Sequence, residues 1–128
     1  MPELRKDPLL GRWVIVATER GQRPGGFIRE PRDMGEDPAS CPFCEGNESM
    51  TPPEIMALGG VRVVPNMYPA LRVEGNLERR GHGMYDLMSG VGAHEVVIES
   101  PRHHVSLTDL TDEEARDVVT PTANDCWT

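Results

Sequence analysis

The sequence predicts an α+β fold, in which short strands alternate with Gly- and Pro-containing loops and one helix follows them. Residues 93–99 alternate between apolar and polar side chains, so that His94, Val96 and Ile98 lie on one face of a half-buried strand. Residues 12–18 carry β-branched side chains at both phases of the period-two pattern, which is typical of a strand covered on both faces. These two strands, together with one late helix, are the basis of the α+β prediction.

Two shorter segments add to the predicted sheet. Residues 61–64 predict a strand that ends at Pro65, because proline cannot donate a ladder hydrogen bond, and residues 71–73 predict a short third strand. Residues 75–92 are predicted to form a loop. Residues 19–53 are polar and rich in Gly and Pro, which indicates a long irregular segment that a bound metal would help to order.

The helix is predicted from its N-terminal capping box. Thr111 followed by Glu114 is the pattern in which the two side chains satisfy each other's backbone N–H groups, so the helix starts at Asp112. Pro121 is predicted to end the helix after roughly two turns, because proline removes a donor and clashes with the preceding turn. The residues beyond it show no periodicity. The predicted organisation is therefore a domain over 1–119 and an atypical tail over 120–128.

Composition and charge narrow the classes of function. A chain of 128 residues with 38% hydrophobic content supports one modest core, and no stretch approaches the roughly 18 apolar residues of a membrane span. The net charge is −8, and it is unevenly spread: residues 1–32 carry +3 and residues 33–128 carry −11. Such a balance argues against a nucleic-acid partner, which needs a broad basic face, but a small phosphorylated ligand needs only a few arginines. The sequence thus predicts no nucleic-acid and no membrane partner.

Cys41 and Cys44 form the most informative motif. Two thiolates two residues apart in a turn supply half of a tetrahedral zinc site. The alternatives are two free thiols or a reversible disulfide of the redox type. Three cysteines in total, with one close pair, fit metal or redox chemistry in a reducing compartment, which predicts a cytoplasmic protein.

The chain resembles the galactose-1-phosphate uridylyltransferases, a branch of the histidine-triad superfamily, from about Leu4 to Val119. A lone CxxC is weak evidence, but here a series of motifs occurs in the order that the family shows. These motifs are RKDP at 5–8, GRWVIVA at 11–17, RGQRP at 20–24, CPFCEGNE at 41–48, TPPE at 51–54, VRVVPNMYPAL at 61–71 and GAHEVVIESPRH at 92–103.

The resemblance implies a fold and a reaction. The expected fold is a curved, mostly antiparallel, histidine-triad-like sheet with a zinc loop, incomplete at its C-terminal end. The expected reaction transfers UMP between UDP-glucose and galactose 1-phosphate through a uridylyl-histidine. The family's nucleophile lies in a His-Pro-His motif, which this sequence does not contain. The resemblance therefore assigns no catalytic residue to this chain and implies that it is inactive alone.

The resemblance also assigns ligands. In the family, zinc is held by residues matching Cys41, Cys44 and His103 and by a histidine of the His-Pro-His region. In this chain His104 and Cys126 are the alternative fourth ligands. We therefore expect a zinc cofactor on three ligands of this chain.

Arg20, Arg23 and Asn66 are the expected substrate-binding residues. The resemblance places both arginines against the nucleotide's phosphates and Asn66 against the uridine nucleotide. The alternative without a ligand is that both arginines are solvated loop charges and that Asn66 caps its own turn. His94 shares a face with apolar residues and is interpreted as a core histidine rather than the nucleophile.

Three functions from different classes remain open at this point. The first is a uridylyltransferase with UDP-glucose and hexose 1-phosphate as substrates. The second is a zinc-stabilised nucleotide-binding module without turnover, and the third is a related dinucleoside phosphorylase. An incomplete sheet would leave an open edge, which predicts poor solubility or pairing of two copies into a homodimer.

Overall fold

A computed structural model describes residues 1–22, 37–103 and 105–125 of the chain. These residues divide into two compact units. Unit 1 comprises 1–22 and 68–94, and unit 2 comprises the other described residues, 37–67, 95–103 and 105–125. No helix in the described part of the chain has the length and apolar character needed to cross a bilayer.

Unit 1 contains a four-stranded antiparallel sheet. Its strands are β1 (Glu3–Lys6), β2 (Trp13–Val16), β5 (Arg80–His82) and β6 (Tyr85–Ser89), in the order β2-β1-β6-β5. Arg5 on β1 lies opposite both Val14 and Leu87, which fixes the register of the two pairings that β1 makes. The β5–β6 hairpin turns through two residues, and the first of them, Gly83, has a φ of 59°, the left-handed region that favours glycine.

Unit 2 contains a three-stranded antiparallel sheet and the helix. Its strands are β3 (Met56–Leu58), β4 (Val61–Pro65) and β7 (Glu95–Ile98), with β4 in the centre, and the helix is α1 (Asp112–Asp125). The helix packs against β3 and β4. The β3–β4 turn passes so close to α1 that a Cβ on Gly59 would collide with the Asp117 carboxylate.

The structure confirms the α+β class and the antiparallel pairing, and it corrects the sheet in three ways. The strands form two separately hydrogen-bonded sheets rather than one. Residues 71–73 make a single bridge, between Arg72 and Val91, instead of a strand. Residues 75–92, predicted as a loop, contain β5 and β6, because a Gly-X hairpin turn organises a segment that has few β-branched residues.

The first predicted strand is present but more exposed than expected. β2 is an edge strand, and Trp13, Val14 and Ile15 are 42%, 53% and 47% exposed, so the prediction that both faces are covered is wrong in the described structure. Two other predicted strands are confirmed, because 61–64 lies within β4 and the pattern at 93–99 contains β7.

The helix begins as predicted but ends later. Thr111 N donates to the Glu114 carboxylate at 2.8 Å, and Glu114 N donates to Thr111 Oγ1 at 3.3 Å, so the capping box is formed. The prediction that Pro121 ends the helix is wrong, because Pro121 lies inside α1. It is fully buried, and Thr120 Oγ1 donates to the Arg116 carbonyl at 2.8 Å one turn earlier. Burial of the proline ring against unit 2 therefore compensates for the lost backbone hydrogen bond.

The buried apolar residues lie mostly in unit 2. Besides Pro121, the buried apolar core of the described residues comprises Cys44, Val61, Val63, Val64, Leu87 and Ile98. Leu87 alone among these belongs to unit 1. The best-packed part of the molecule therefore surrounds the central strand β4 and includes one of the two motif cysteines.

Candidate functional site

The cysteine loop, defined here as residues 37–50, is shaped by short-range hydrogen bonds. Asp37 Oδ1 accepts from Ala39 N at 3.0 Å, and Ser40 Oγ donates to the Asp37 carbonyl at 2.8 Å. The chain then turns through Cys41 to Cys44, whose N donates to the Cys41 carbonyl at 3.3 Å. This turn places the two thiols on the same side of the loop.

The Asn47 side chain stabilises the cysteine turn by hydrogen bonds to its backbone. Its side-chain amide Nδ2 donates to the carbonyls of Pro38, Ala39 and Cys41 at 2.9, 3.2 and 2.8 Å. One side chain thus satisfies backbone carbonyls on both sides of the first cysteine. The role of Asn47 was not predicted, although an asparagine after a glycine in a turn is a recognisable signal for hydrogen bonding to the local backbone.

The cysteine loop is fastened to the segment that carries His103. Glu45 N donates to the Pro101 carbonyl at 3.1 Å, which holds the two segments together two residues before the histidine. As a result Cys41, Cys44 and His103 each offer one ligand atom, and these three atoms all lie within 4.8 Å of one another. The structure therefore brings together all three metal ligands that the sequence predicted.

The cluster fits the coordination chemistry of zinc. His103 Nδ1 lies 3.0 Å from Cys44 Sγ. Tetrahedral coordination with Zn–S and Zn–N bonds of about 2.3 and 2.0 Å places such donors roughly 3.5 to 3.8 Å apart, so only small movements would be needed. Both cysteines are free thiols, and two sulfurs with one imidazole are a donor set that zinc prefers. The three residues form a candidate metal site with a tetrahedral position left for another ligand.

Without a cation, burial and the neighbouring Cys41 both disfavour ionisation of the Cys44 thiol. Burial raises the pKa of the Cys44 thiol, and the hydrogen bond and charge of Cys41 raise it further. Cys44 is 7% exposed, so water cannot stabilise a thiolate there. A bound divalent cation reverses this balance, because it offsets the two thiolate charges.

A cleft of about 370 Å³ adjoins the cluster in unit 2. Cys41, Cys44 and His103 contribute to its wall, together with apolar side chains that include Phe43 and Leu110. The candidate metal site is thus reached from a cleft rather than enclosed on all sides.

Glu48 of the cysteine loop lies close enough to the half-buried Arg62 of β4 for their charges to interact. Glu48 Oε1 accepts from Gly46 N at 3.0 Å, and Gly46 has a φ of 91°. The backbone N–H of Gly46, then that of Glu48 itself, and then the charge of Arg62 hold the pKa of the Glu48 carboxyl below its ordinary value. One guanidinium nitrogen of Arg62 is buried without a hydrogen-bond partner in the structure. Backbone N–H groups of the cysteine loop are therefore the main partners of the Glu48 carboxylate, and the charge of Arg62 adds a smaller attraction.

The arginine turn, defined as Thr18–Gln22, follows β2 in unit 1 and carries Arg20. Arg20 N donates to the Ala17 carbonyl at 3.1 Å, which closes the turn. The guanidinium Nη1 lies 3.4 Å from His94 Nδ1, and this ring nitrogen also accepts from Ala70 N at 2.8 Å. The Arg20 side chain is thus directed by a residue 74 positions later in the chain.

Glu19 anchors the arginine turn on its other side. Its carboxylate accepts from Arg72 Nη2 at 2.9 and 3.1 Å and lies 3.4 Å from the amino group of Met1. The Arg72 hydrogen bond first, and then the Met1 amino group, hold the pKa of the Glu19 carboxyl below its ordinary value. All three groups are about half exposed, so this anchor is electrostatic and close to solvent.

Comparison with known proteins decides the family. A model described as galactose-1-phosphate uridyl transferase, N-terminal domain, matches residues 1–125. The chain belongs to this family.

The chain is similar both to ADP-glucose phosphorylases and to uridylyltransferases. The ADP-glucose phosphorylase of Arabidopsis thaliana is 41% identical over 120 residues, which cover 85% of this chain and 34% of the relative. A solved uridylyltransferase structure is 28% identical with a TM-score of 0.63, over 95% of this chain and 33% of that one. A crystal structure of an ADP-glucose phosphorylase from Arabidopsis thaliana with bound ADP-glucose is 34% identical with a TM-score of 0.53, over 97% and 36%. This chain spans about a third of the length of each.

Of the substrate-binding residues predicted for this family member, two lie in the described structure. Arg20 belongs to unit 1, and Asn66 is half-buried directly after β4 in unit 2. Arg23, His104 and Cys126 lie outside the described residues. His94, interpreted as a core histidine from its strand pattern, is half-buried directly before β7, where it contacts Arg20 and accepts from Ala70 N. No local signal could have shown this, because the contact joins segments far apart in the sequence.

Proposed function

We propose that this chain is the metal-stabilised, nucleotide-sugar-binding part of a nucleotidyltransferase. The reaction that we propose breaks the diphosphate of a nucleoside diphosphate glucose, transfers the nucleoside monophosphoryl group to a phosphate oxygen of an acceptor, and releases glucose 1-phosphate. UDP-glucose with galactose 1-phosphate is the first substrate pair to test. The observation that carries the proposal is the meeting of Cys41, Cys44 and His103 within 4.8 Å in a chain of this family.

The metal in this proposal is zinc, and its role is to order the chain. Cys41, Cys44 and His103 would hold it, joining the cysteine loop to the segment after β7. Metal binding of this kind contributes folding free energy, since an unfolded chain does not offer a preformed site. Two free thiols suit a reducing compartment, which supports the expectation of a cytoplasmic protein.

Phosphate binding in this proposal is assigned to the arginine turn. A guanidinium presents several donors in one plane and can bind two phosphate oxygens at once, which a lysine cannot reproduce. Arg20 is half-buried, and neutral partners hold it while Glu19 pairs with Arg72. Its charge is therefore not cancelled by a carboxylate in any contact that the structure gives, which leaves it suited to an anionic ligand.

A second candidate differs in the nucleotide and the acceptor. The 41% identity to an ADP-glucose phosphorylase favours ADP-glucose as donor and inorganic phosphate as acceptor. The identity to the solved uridylyltransferase is lower, at 28%. Both candidates share the transfer of a nucleotidyl group at the diphosphate, so the donor nucleotide and the acceptor are the properties that separate them.

Isothermal titration of the zinc-loaded chain with ADP-glucose and with UDP-glucose tests the proposal. We expect binding of at least one of them, and the tighter ligand identifies the donor. Arg20→Ala should weaken that binding about tenfold or more, since hydrogen bonds to charged groups are worth about 1.5 to 3 kcal/mol. The matched control is Arg79→Ala, which removes an exposed arginine of the same unit. Equal binding by wild type and Arg20→Ala, or no binding of either ligand, would contradict the proposal.

A nucleotidyl-exchange assay separates turnover from binding alone. Labelled glucose 1-phosphate incubated with the bound nucleotide sugar becomes labelled nucleotide sugar only if the nucleotidyl group is transferred. A chain that binds the nucleotide sugar yet exchanges no label under any condition would be the zinc-stabilised binding module without turnover.

A further inference from the structure

His94 connects the arginine turn to a second segment of unit 1. Its Nδ1 accepts from Ala70 N at 2.8 Å and lies 3.4 Å from Arg20 Nη1. Arg20 and Ala70 can only donate in these contacts, so Nδ1 is the acceptor and the ring proton of the neutral imidazole resides on Nε2. The tautomer of His94 is therefore assigned by its two N–H donors.

We propose that His94 is a positioning residue that orients the Arg20 guanidinium toward the phosphates of the nucleotide sugar. This proposal rests on the phosphate role of Arg20 in the proposed function. His94 itself makes no contact with the ligand in this account. It acts by holding Arg20 in one arrangement before the ligand arrives.

The strong bond to Ala70 makes His94 a fixed acceptor. A backbone N–H at 2.8 Å is close to the most common length for such bonds, whereas the contact with Arg20 is longer and weaker. The imidazole ring is thus anchored to the backbone at Ala70, and the Arg20 side chain is the partner whose orientation the ring restricts. An acceptor anchored in this way can guide a guanidinium without neutralising its charge, as a carboxylate would.

Glu19 and His94 divide the support of the arginine turn between them. Glu19 pairs with Arg72 and fixes the backbone of the turn, while His94 contacts the Arg20 side chain directly. An arginine side chain loses considerable rotamer freedom when it binds a ligand. Restricting Arg20 in advance lowers that entropic cost, so loss of His94 should weaken binding even though no ligand contact is removed.

The nature of the acceptor gives a sharp pair of variants. An asparagine at position 94 can place its side-chain oxygen near the position of the imidazole Nδ1, so His94→Asn should keep the contacts with Ala70 and Arg20. His94→Leu has similar bulk and no acceptor. His82→Leu is the matched control, because His82 is an exposed histidine of the same unit in β5.

A double-mutant cycle on the zinc-loaded chain tests the proposal, with titration of ADP-glucose and UDP-glucose as the measurement. We expect His94→Leu to weaken binding of the preferred ligand about five- to tenfold, the equivalent of one hydrogen bond of roughly 1 kcal/mol. His94→Asn should restore most of the affinity, and His82→Leu should bind as wild type does. In the Arg20→Ala background, His94→Leu should cause no further loss, because its effect passes through Arg20.

A second measurement judges the positioning without any ligand. In ¹⁵N-labelled protein, rotation of the Arg20 guanidinium should be slow in wild type and His94→Asn and fast in His94→Leu. Long-range ¹H–¹⁵N spectra should show the His94 proton on Nε2. These readouts would not change if His94 merely filled space in unit 1.

The outcomes distinguish this proposal from the proposed function. Full additivity of the Arg20 and His94 substitutions, or equally fast Arg20 rotation in wild type and His94→Leu, would overturn the role of His94 alone. No binding of either nucleotide sugar by the wild-type chain would overturn the proposed function, and the phosphate-orienting role of His94 with it.

Discussion

The cysteine loop and the arginine turn are both short, polar and irregular, yet they are held in opposite ways. In the cysteine loop, the hydrogen bonds within residues 37–50 join groups no more than nine residues apart, and nearly all are to backbone. In the arginine turn, the supporting partners are Arg72 and His94, which lie 53 and 74 residues away. The first segment is shaped mainly by its own backbone, with Glu45 N tying it to the Pro101 carbonyl, whereas the side chains of the second depend on distant partners in unit 1.

This difference in support suits the two segments to different tasks. The cysteine loop contains the buried Cys44 and is braced by uncharged hydrogen bonds to its own backbone, so its geometry depends little on exposed charge. The arginine turn rests on half-exposed ion pairs, which contribute little free energy and respond to salt. A metal site needs the first kind of support, and a turn that accommodates a phosphorylated ligand can use the second.

Replacing one motif cysteine should have the largest effect in the molecule. We expect Cys44→Ser to reduce bound zinc from one ion per chain to background and to lower the melting temperature of the zinc-loaded chain. The physical reason is that zinc binding supplies folding free energy, on the order of 10 kcal/mol in small zinc domains. Elemental analysis and a thermal melt measure the two effects.

The control for the cysteine variant is a histidine outside the cluster. His82→Ala should leave the zinc content and the melting temperature unchanged, because His82 lies in unit 1 and is exposed. Unchanged zinc in Cys44→Ser would show that the cysteine loop is not a metal site, and the contrast with the arginine turn would lose its chemical meaning.

Asn47→Ala tests whether backbone hydrogen bonding, rather than metal alone, fixes the cysteine loop. The variant loses the amide that serves three carbonyls, including that of Cys41. We expect the free energy of unfolding to fall by about 2 kcal/mol, given roughly 0.5 to 1.5 kcal/mol per hydrogen bond. Zinc affinity should fall as well. Denaturant unfolding measures the first effect and competition with a chromophoric chelator the second.

The control is Asn76→Ala, which removes an exposed asparagine of unit 1. It should change neither quantity. If Asn47→Ala matches this control, the cysteine loop is as loosely held as the arginine turn, and the comparison fails.

The same difference explains how far the sequence could predict the site. The cysteine pair was identifiable because its chemistry and its support are local. His103 was assigned through the family resemblance, and the structure places it beside the pair. Arg20 was assigned in the same way, but the contact between its side chain and His94 was not predicted. A period-two pattern shows which face of a strand a residue occupies, and it carries no information about a contact 74 residues away.

The fold divides in a similar manner. The start of α1 was predicted because the capping box of Thr111 and Glu114 is a local device. Its end was not, because burial of Pro121 in unit 2 overrides the local preference of proline to stop a helix. The β5–β6 hairpin was missed for the opposite reason: the signal at Gly83 is local, but its strands have weak β propensity.

Acid sensitivity should differ between the carboxyls that support the two segments, beginning with Glu48. Its pKa is lowered chiefly by backbone N–H groups of the cysteine loop. A lowered pKa in the folded state means that this carboxylate stabilises the fold above the ordinary glutamate pKa of about 4.3. That contribution disappears as the pH falls through the folded value. The free energy of unfolding of Glu48→Gln should therefore be lower than that of wild type at pH 7 and should approach it near pH 3. A gap that stays constant with pH would show that Glu48 acts through its shape rather than its charge.

The smallest effect is expected at Arg72, and it is the one that most sharply separates the segments. Arg72→Ala removes the first cause of the lowered Glu19 pKa, while the Met1 amino group still contributes. The Glu19 pKa should move toward its ordinary value, and the melting temperature should hardly change, because the pair is half exposed. Carboxyl NMR titration in low and high salt measures both carboxyls at once. Added salt should raise the Glu19 pKa in wild type and have less influence on Glu48, whose main partners are uncharged backbone groups. An equal response of the two carboxyls to salt would mean that the cysteine loop, too, is held mainly by exposed charge.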